Sequence, residues 1–175
     1  MTLPSQYAWL AAEPGPKMIQ EALNIYGTHE APGDTVDNPV ILSWAKDLGI
    51  SWYLHDATPW CGLCMGIVAK RAGKQPPRDL LAALSWANFG TKAPEAMLGD
   101  ILVFKRTGGG HVTLYVGEDD DAYHCLGGNQ ADQVDITRIA KSRIFSIQRP
   151  VYNETPANVR KIVLADSGVL STNES

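Results

Sequence analysis

The 175-residue chain holds only three cysteines, Cys61, Cys64 and Cys125. An odd, small cysteine count in such a chain argues against a disulfide framework. The thiols read instead as core fillers, redox groups, metal ligands or a nucleophile. No apolar run approaches the ~20 residues that a bilayer crossing takes, so no membrane insertion is expected. The opening stretch, MTLPSQYAWLAAEPGPK, lacks a basic n-region, which predicts synthesis in the cytoplasm without a signal peptide. Dense basic clusters are missing too. Lys/Arg pairs stand only at 70–71, 105–106 and 160–161, and 15 basic against 19 acidic residues leave a net charge of −4. That excludes the electrostatic footprint of nucleic acid or an anionic membrane surface. Internal repeats and low-complexity segments are absent.

What is present is an ordinary globular balance, 45% hydrophobic and 19% charged, in a chain of one-domain length. The pattern changes character near residue 95. Before it the punctuation is helical. Pro16 opens KMIQEALNIY and Gly27 closes it; Asn38-Pro39 reads as an N-cap and first-turn proline before VILSWAKDL. Cys61 to Ala72 is a third helical stretch stopped by Gly73, and DLLAALSWANF, before Gly90, is a fourth. After residue 95 the period is two, with short strands at 101–105, 111–117, 121–127, 133–139 and 143–149. Links this short predict antiparallel neighbours, so helices followed by a meander of about five strands indicate an α+β fold. The division expected is a domain over 1–150 and a tail over 151–175, in which VRKIVLADSGVL reads as a short docking helix and STNES as a frayed end.

Three short stretches could carry chemistry. In Thr-Pro-Trp-Cys-Gly-Leu-Cys, 58–64, Cys61 falls at a helix start, where unpaired N–H groups and the helix dipole favour a thiolate. Gly62 behind it leaves room for a substrate. His111 begins a strand behind Gly108-Gly109-Gly110, a place suited to a base. Leu126-Gly127-Gly128-Asn129-Gln130 follows the next strand, where a side-chain amide can fix the tautomer of His111, the orienting role of a triad. Each signal alone has a blander reading as a core thiol, a loop-end histidine or a turn. Together they form a Cys, His, Asn set.

These stretches resemble the CHAP and NlpC-type peptidoglycan cysteine hydrolases, and most of all a phage-associated, endolysin-like branch. The upstream Gly27-Thr-His-Glu30-Ala-Pro-Gly33 and Asn38-Pro39-Val40-Ile41 fit that branch, and the likeness spans about residues 7–150. The resemblance implies a papain-like domain with the nucleophile at a helix N-terminus, packed on the C-terminal meander. It implies Cys61 as nucleophile, His111 as base and Asn129 as the orienting residue, with His124 in reserve because many members use a histidine on the following strand. It also implies a peptidoglycan stem-peptide substrate cleaved as by an endopeptidase or N-acetylmuramoyl-L-alanine amidase, with no cofactor and no metal. Trp60, Glu30 and Asp56 are candidate substrate contacts. A monomer acting on the cell wall in the periplasm is expected. Holin-dependent release, carriage on a phage tail, or injection as an antibacterial amidase effector with an immunity protein would bring it there.

Rival readings exist. Trp60-Cys61-Gly62-x-Cys64 is close to the thioredoxin pattern, which would make a thiol-disulfide oxidoreductase of Cys61 and Cys64. A thioredoxin motif follows a buried parallel strand, however, and here the polar LHDATPW precedes it. Cys61, Cys64, His111 and either His124 or Cys125 could offer zinc four ligands, but no second CxxC or HxxxH accompanies them. Five tryptophans could stack on sugars in a non-catalytic wall-binding module, yet their setting among helical apolar residues reads as core. The acidic run Glu118–Asp121 reads as a solvated hairpin connector that binds no calcium.

Overall fold

A computed structural model describes residues 2–33, 36–165 and 168–172. The helices form where the sequence punctuates them. A 3-10 segment, Ser5–Ala12, which no apolar period announces, comes first and buries Tyr7 and Leu10. Helix α1 (Lys17–Asn24) starts behind Pro16 and buries Met18, Ile19 and Ala22, neighbours on one helical face. Helix α2 (Pro39–Asp47) is capped by Asn38, whose side chain accepts the Val40 N–H at 2.8 Å. Helix α3 (Cys61–Arg71) is buried without a break from Cys61 to Ala69, which makes it the central helix. Gly73, at φ 71°, turns the chain out of it. The fourth helical stretch is shorter and tighter than expected: Ala83–Asn88 is a 3-10 segment. The Trp86 indole N–H donates to the Leu80 carbonyl at 2.8 Å, and that side-chain bond folds the segment back on itself.

The strands are β1 (Thr91–Lys92), β2 (Ile101–Arg106), β3 (Gly109–Glu118), β4 (Ala122–Gly127), β5 (Asp135–Ala140) and β6 (Ile144–Arg149). They form one six-stranded sheet in the order β1-β6-β2-β3-β4-β5, with antiparallel pairing throughout. The fold is therefore mixed α+β, helices first. Strands β2 to β6 are the five of the sequence pattern; β1 adds two residues beside β6. Residues 101–104 and 111–118 are buried without alternation, so both faces of the central strands are covered.

Two expectations need correction. Among the described residues of 151–172 there is no docking helix. Val163 forms a parallel bridge with Glu118, and Leu170 forms one with Arg138. The pairing of β3 with β2 ends at Leu114, and beyond it the Glu118 N–H donates to the Ile162 carbonyl while the Leu164 N–H donates to that of Glu118. An extended tail satisfies backbone groups there that a helix would leave orphaned. Arg160 and Asn158 reach back to Glu13 at 2.9 and 2.8 Å. Of the end expected to fray, residues 173–175 lie outside the described residues. Nor is the acidic turn solvated throughout: Asp120 and Asp121 are exposed, but Glu118 and Asp119 are buried. Glu118 is paired with Lys141 at 2.9 Å and Lys161 at 3.3 Å. Asp119 is buried and accepts from Arg138 Nε and His124 Nε2, each at 2.8 Å, and from the Asp121 and Ala122 N–H groups.

Candidate active site

Trp60 and Cys61 meet at the start of α3. The Trp60 ring is fully buried, lies 6.1 Å from that of Trp44 and donates its indole N–H to Glu30 at 2.9 Å. It is thus a wall of the core, joined to the second of the expected substrate contacts. Asp56, the third, is spoken for by backbone: Oδ2 accepts the Ala31 N–H at 2.9 Å and the Asn38 N–H at 2.7 Å. Its carboxylate ties the loop before α2. Gly62 does not open a path for substrate. A Cβ there would lie 2.3 Å from the Leu80 carbonyl oxygen and 2.8 Å from that of Leu81, so glycine lets the 80–81 backbone close on α3.

The Cys61 residue is 4% exposed. Burial pushes its thiol above the ordinary value, opposed by the N–H groups of Val112, Gly62 and Cys61 itself and by the Arg106 charge. The helix start alone therefore does not produce the depressed thiol expected from sequence: desolvation outweighs the N–H groups. Val112 directly follows His111, so the thiol sits against the strand that carries the histidine.

His111 is completely buried on β3, with Nε2 3.1 Å from Gln130 Oε1. The Gln130 amide nitrogen donates to the carbonyls of Cys125 at 3.0 Å and Asp135 at 2.6 Å. Both amide hydrogens are thereby committed, so Oε1 faces the ring as an acceptor and His111 carries its proton on Nε2. Nδ1 is left as the basic nitrogen of the neutral ring. This is the orienting bond that the sequence assigned to Asn129, and the correction is by one residue. Asn129 takes φ 57°, within a loop where Ala131 and Asp132 are also left-handed at 50° and 60°. That turn makes Gln130 the amide presented to the ring. The loop is held by a ladder to residues 27–30, with Val134 N–H to Thr28 at 2.8 Å and Glu30 N–H to Asp132 at 2.7 Å.

His124, the reserve third residue, belongs elsewhere. Nδ1 is 2.6 Å from the Tyr7 hydroxyl and Nε2 is 2.8 Å from Asp119. It anchors the N-terminal segment to the β3–β4 turn. The Cys64 thiol packs against Gly128, where a Cβ would come within 2.5 Å of Cys64 Cβ and 2.6 Å of the Trp60 ring. Burial pushes that thiol far up. Cys61 and Cys64 are not joined by a disulfide, and turns lead into α3 where a thioredoxin motif would have a strand. Among the described residues no group of three or more His, Cys, Asp or Glu side chains is placed to hold a metal ion. Among the described residues no helix is long and apolar enough to cross a membrane. No protein-family model and no curated protein matches this chain.

Proposed function

We propose that the chain is a papain-like cysteine hydrolase of peptidoglycan, cutting an amide bond of the stem peptide as an endopeptidase or N-acetylmuramoyl-L-alanine amidase. The observation that carries the reading is the locked Gln130 carboxamide on His111 Nε2, on the strand that lies against the Cys61 thiol. A core packing role for these three residues would not require an amide fixed by two carbonyls to dictate an imidazole tautomer.

In this mechanism Cys61 rests as a thiol, as its burial favours, and His111 Nδ1 removes the proton as the sulfur attacks the carbonyl. The C–S bond forms as the carbonyl π electrons move to oxygen. The Cys61 N–H, at the helix start, faces the developing oxyanion. Collapse breaks the C–N bond, and the proton on His111 passes to the leaving amine. Water, deprotonated by the same imidazole, then releases the acyl group and restores the thiol. Gln130 keeps the ring from turning throughout. The motif likeness supports a phage endolysin or virion lysin that works on the wall in the periplasm.

Digestion of purified Gram-negative sacculi by wild-type and Cys61→Ala protein, with fragments read by mass spectrometry, tests this. Release by the wild type alone is expected, and the fragment masses name the bond. Equal release by both proteins would overturn the nucleophile assignment.

A further inference from the structure

Once Gln130 takes the orienting bond, Asn129 is left without the task its sequence position suggested. It is not a surface turn residue: it is 2% exposed, and its carboxamide oxygen is buried with no hydrogen-bond partner among the described residues. Natural structures rarely leave such an acceptor unmatched, and an orphan of this kind calls for an explanation.

Its place supplies one. The residue before it, Gly128, packs on Cys64 of α3 and on Trp60, the residue that precedes α3, and the residue after it, Gln130, holds His111. Consecutive Cα atoms are ~3.8 Å apart, so Asn129 bridges the elements that carry the thiol and the imidazole. The loop backbone is fixed by its ladder to residues 27–30. Cys61, at the start of the helix on which Gly128 packs, is nearly as buried, at 4%. A peptide that reaches the thiol must shed its water there, and its own backbone N–H groups then need acceptors.

We propose that the Asn129 carboxamide oxygen accepts a backbone N–H of the substrate peptide next to the scissile bond, which makes Asn129 a substrate-binding residue. The inference rests on the hydrolase reading above and deepens it: the substrate is engaged through its peptide backbone as well as at the reacting carbonyl.

The test uses the whole chain, a synthetic muramoyl stem peptide, and analogues in which one amide flanking the cleaved bond is an ester. Asn129→Gly removes the side chain and keeps the left-handed backbone, which glycine adopts freely. It should lower kcat/KM about tenfold, mainly through KM, the size expected for one lost hydrogen bond. Alkylation of Cys61 by iodoacetamide should follow the same pH profile in variant and wild type. One ester analogue should slow the wild type about as much and leave Asn129→Gly indifferent. A variant equal to wild type on the amide peptide overturns the inference alone. So does an altered alkylation profile, because Asn129 would then act on the catalytic pair. If the wild type cleaves nothing, the hydrolase reading falls and this inference falls with it.

Discussion

Gln130 holds the far nitrogen of His111 at 3.1 Å while both of its own amide hydrogens are occupied by backbone carbonyls. The arrangement ranks the two neighbouring amides. Gln130→Ala should cut kcat roughly 10–100-fold, the usual effect of removing a group that orients a reactive side chain, and should shift the acid limb of the pH–rate profile. Gln130→Glu replaces the locked amide with a carboxylate and should raise the imidazole pKa, moving that limb to higher pH. A Gln130→Ala enzyme with wild-type kcat and profile would return the orienting role to another residue.

The thiol offers a second check. Burial holds Cys61 above its ordinary value and Arg106 is one of the groups that pull it down. A raised value means less thiolate at neutral pH, so iodoacetamide alkylation should climb through pH 9 with no plateau near neutrality. Arg106→Gln removes a positive charge, raises the thiol further and should slow alkylation several-fold at pH 8; Arg106→Lys should restore most of the rate. A plateau between pH 6 and 8 would instead indicate a resting thiolate–imidazolium pair.

Gly62 makes a packing prediction. Here a Cβ would meet the Leu80 carbonyl oxygen at 2.3 Å. Gly62→Ala should cost roughly 1–3 kcal/mol, the usual range for overpacking, read as a drop of roughly 2–4 °C in Tm per kcal/mol. An unchanged Tm would mean that the 80–81 backbone moves aside freely.

The buried Asp119 ties β3, β4 and β5 together. Arg138 foremost, then His124 and two backbone N–H groups, hold its carboxyl well below the usual carboxylate range. A depressed folded-state value contributes stability that is present above the unfolded value, near ~4, and is lost as pH falls toward the folded one. Asp119→Asn should therefore destabilise the protein by roughly 3–5 kcal/mol at pH 7, as breaking a buried pair does. The gap to wild type should narrow steadily below pH 4. Thermal melts at pH 7 and pH 3 decide it; a gap that widens in acid would contradict the assignment.

Much of this was legible before any coordinates. Asn38-Pro39 announces a capped helix and Gly73 a helix end because both act through local backbone chemistry. Five strands follow from a period of two. Cys61 and His111 were legible as a pair of positions, one at a helix start and one at a strand mouth. What failed depended on partners far along the chain. Glu118 and Asp119 look like turn residues until Lys141, Lys161 and Arg138 fold onto them. The tail's apolar spacing suits a helix or a strand, and the unpaired end of β3 selects the strand. The choice between Asn129 and Gln130 turned on left-handed φ angles that a ladder to residues 27–30 imposes. No local pattern in Gly-Gly-Asn-Gln-Ala-Asp contains that ladder.

The pairing of the tail with β3 has a meaning for handling the protein. Without residues 162–164, the last residues of β3 would present open donors and acceptors beside β2, a template on which a second chain can add a strand. The tail is a built-in guard against self-association. A protein clipped between Arg149 and Arg160 would keep Cys61, His111 and Gln130 while losing the clasp on Glu13 and the cover on β3. Its first symptom should be concentration-dependent aggregation, visible by light scattering before any loss of secondary structure.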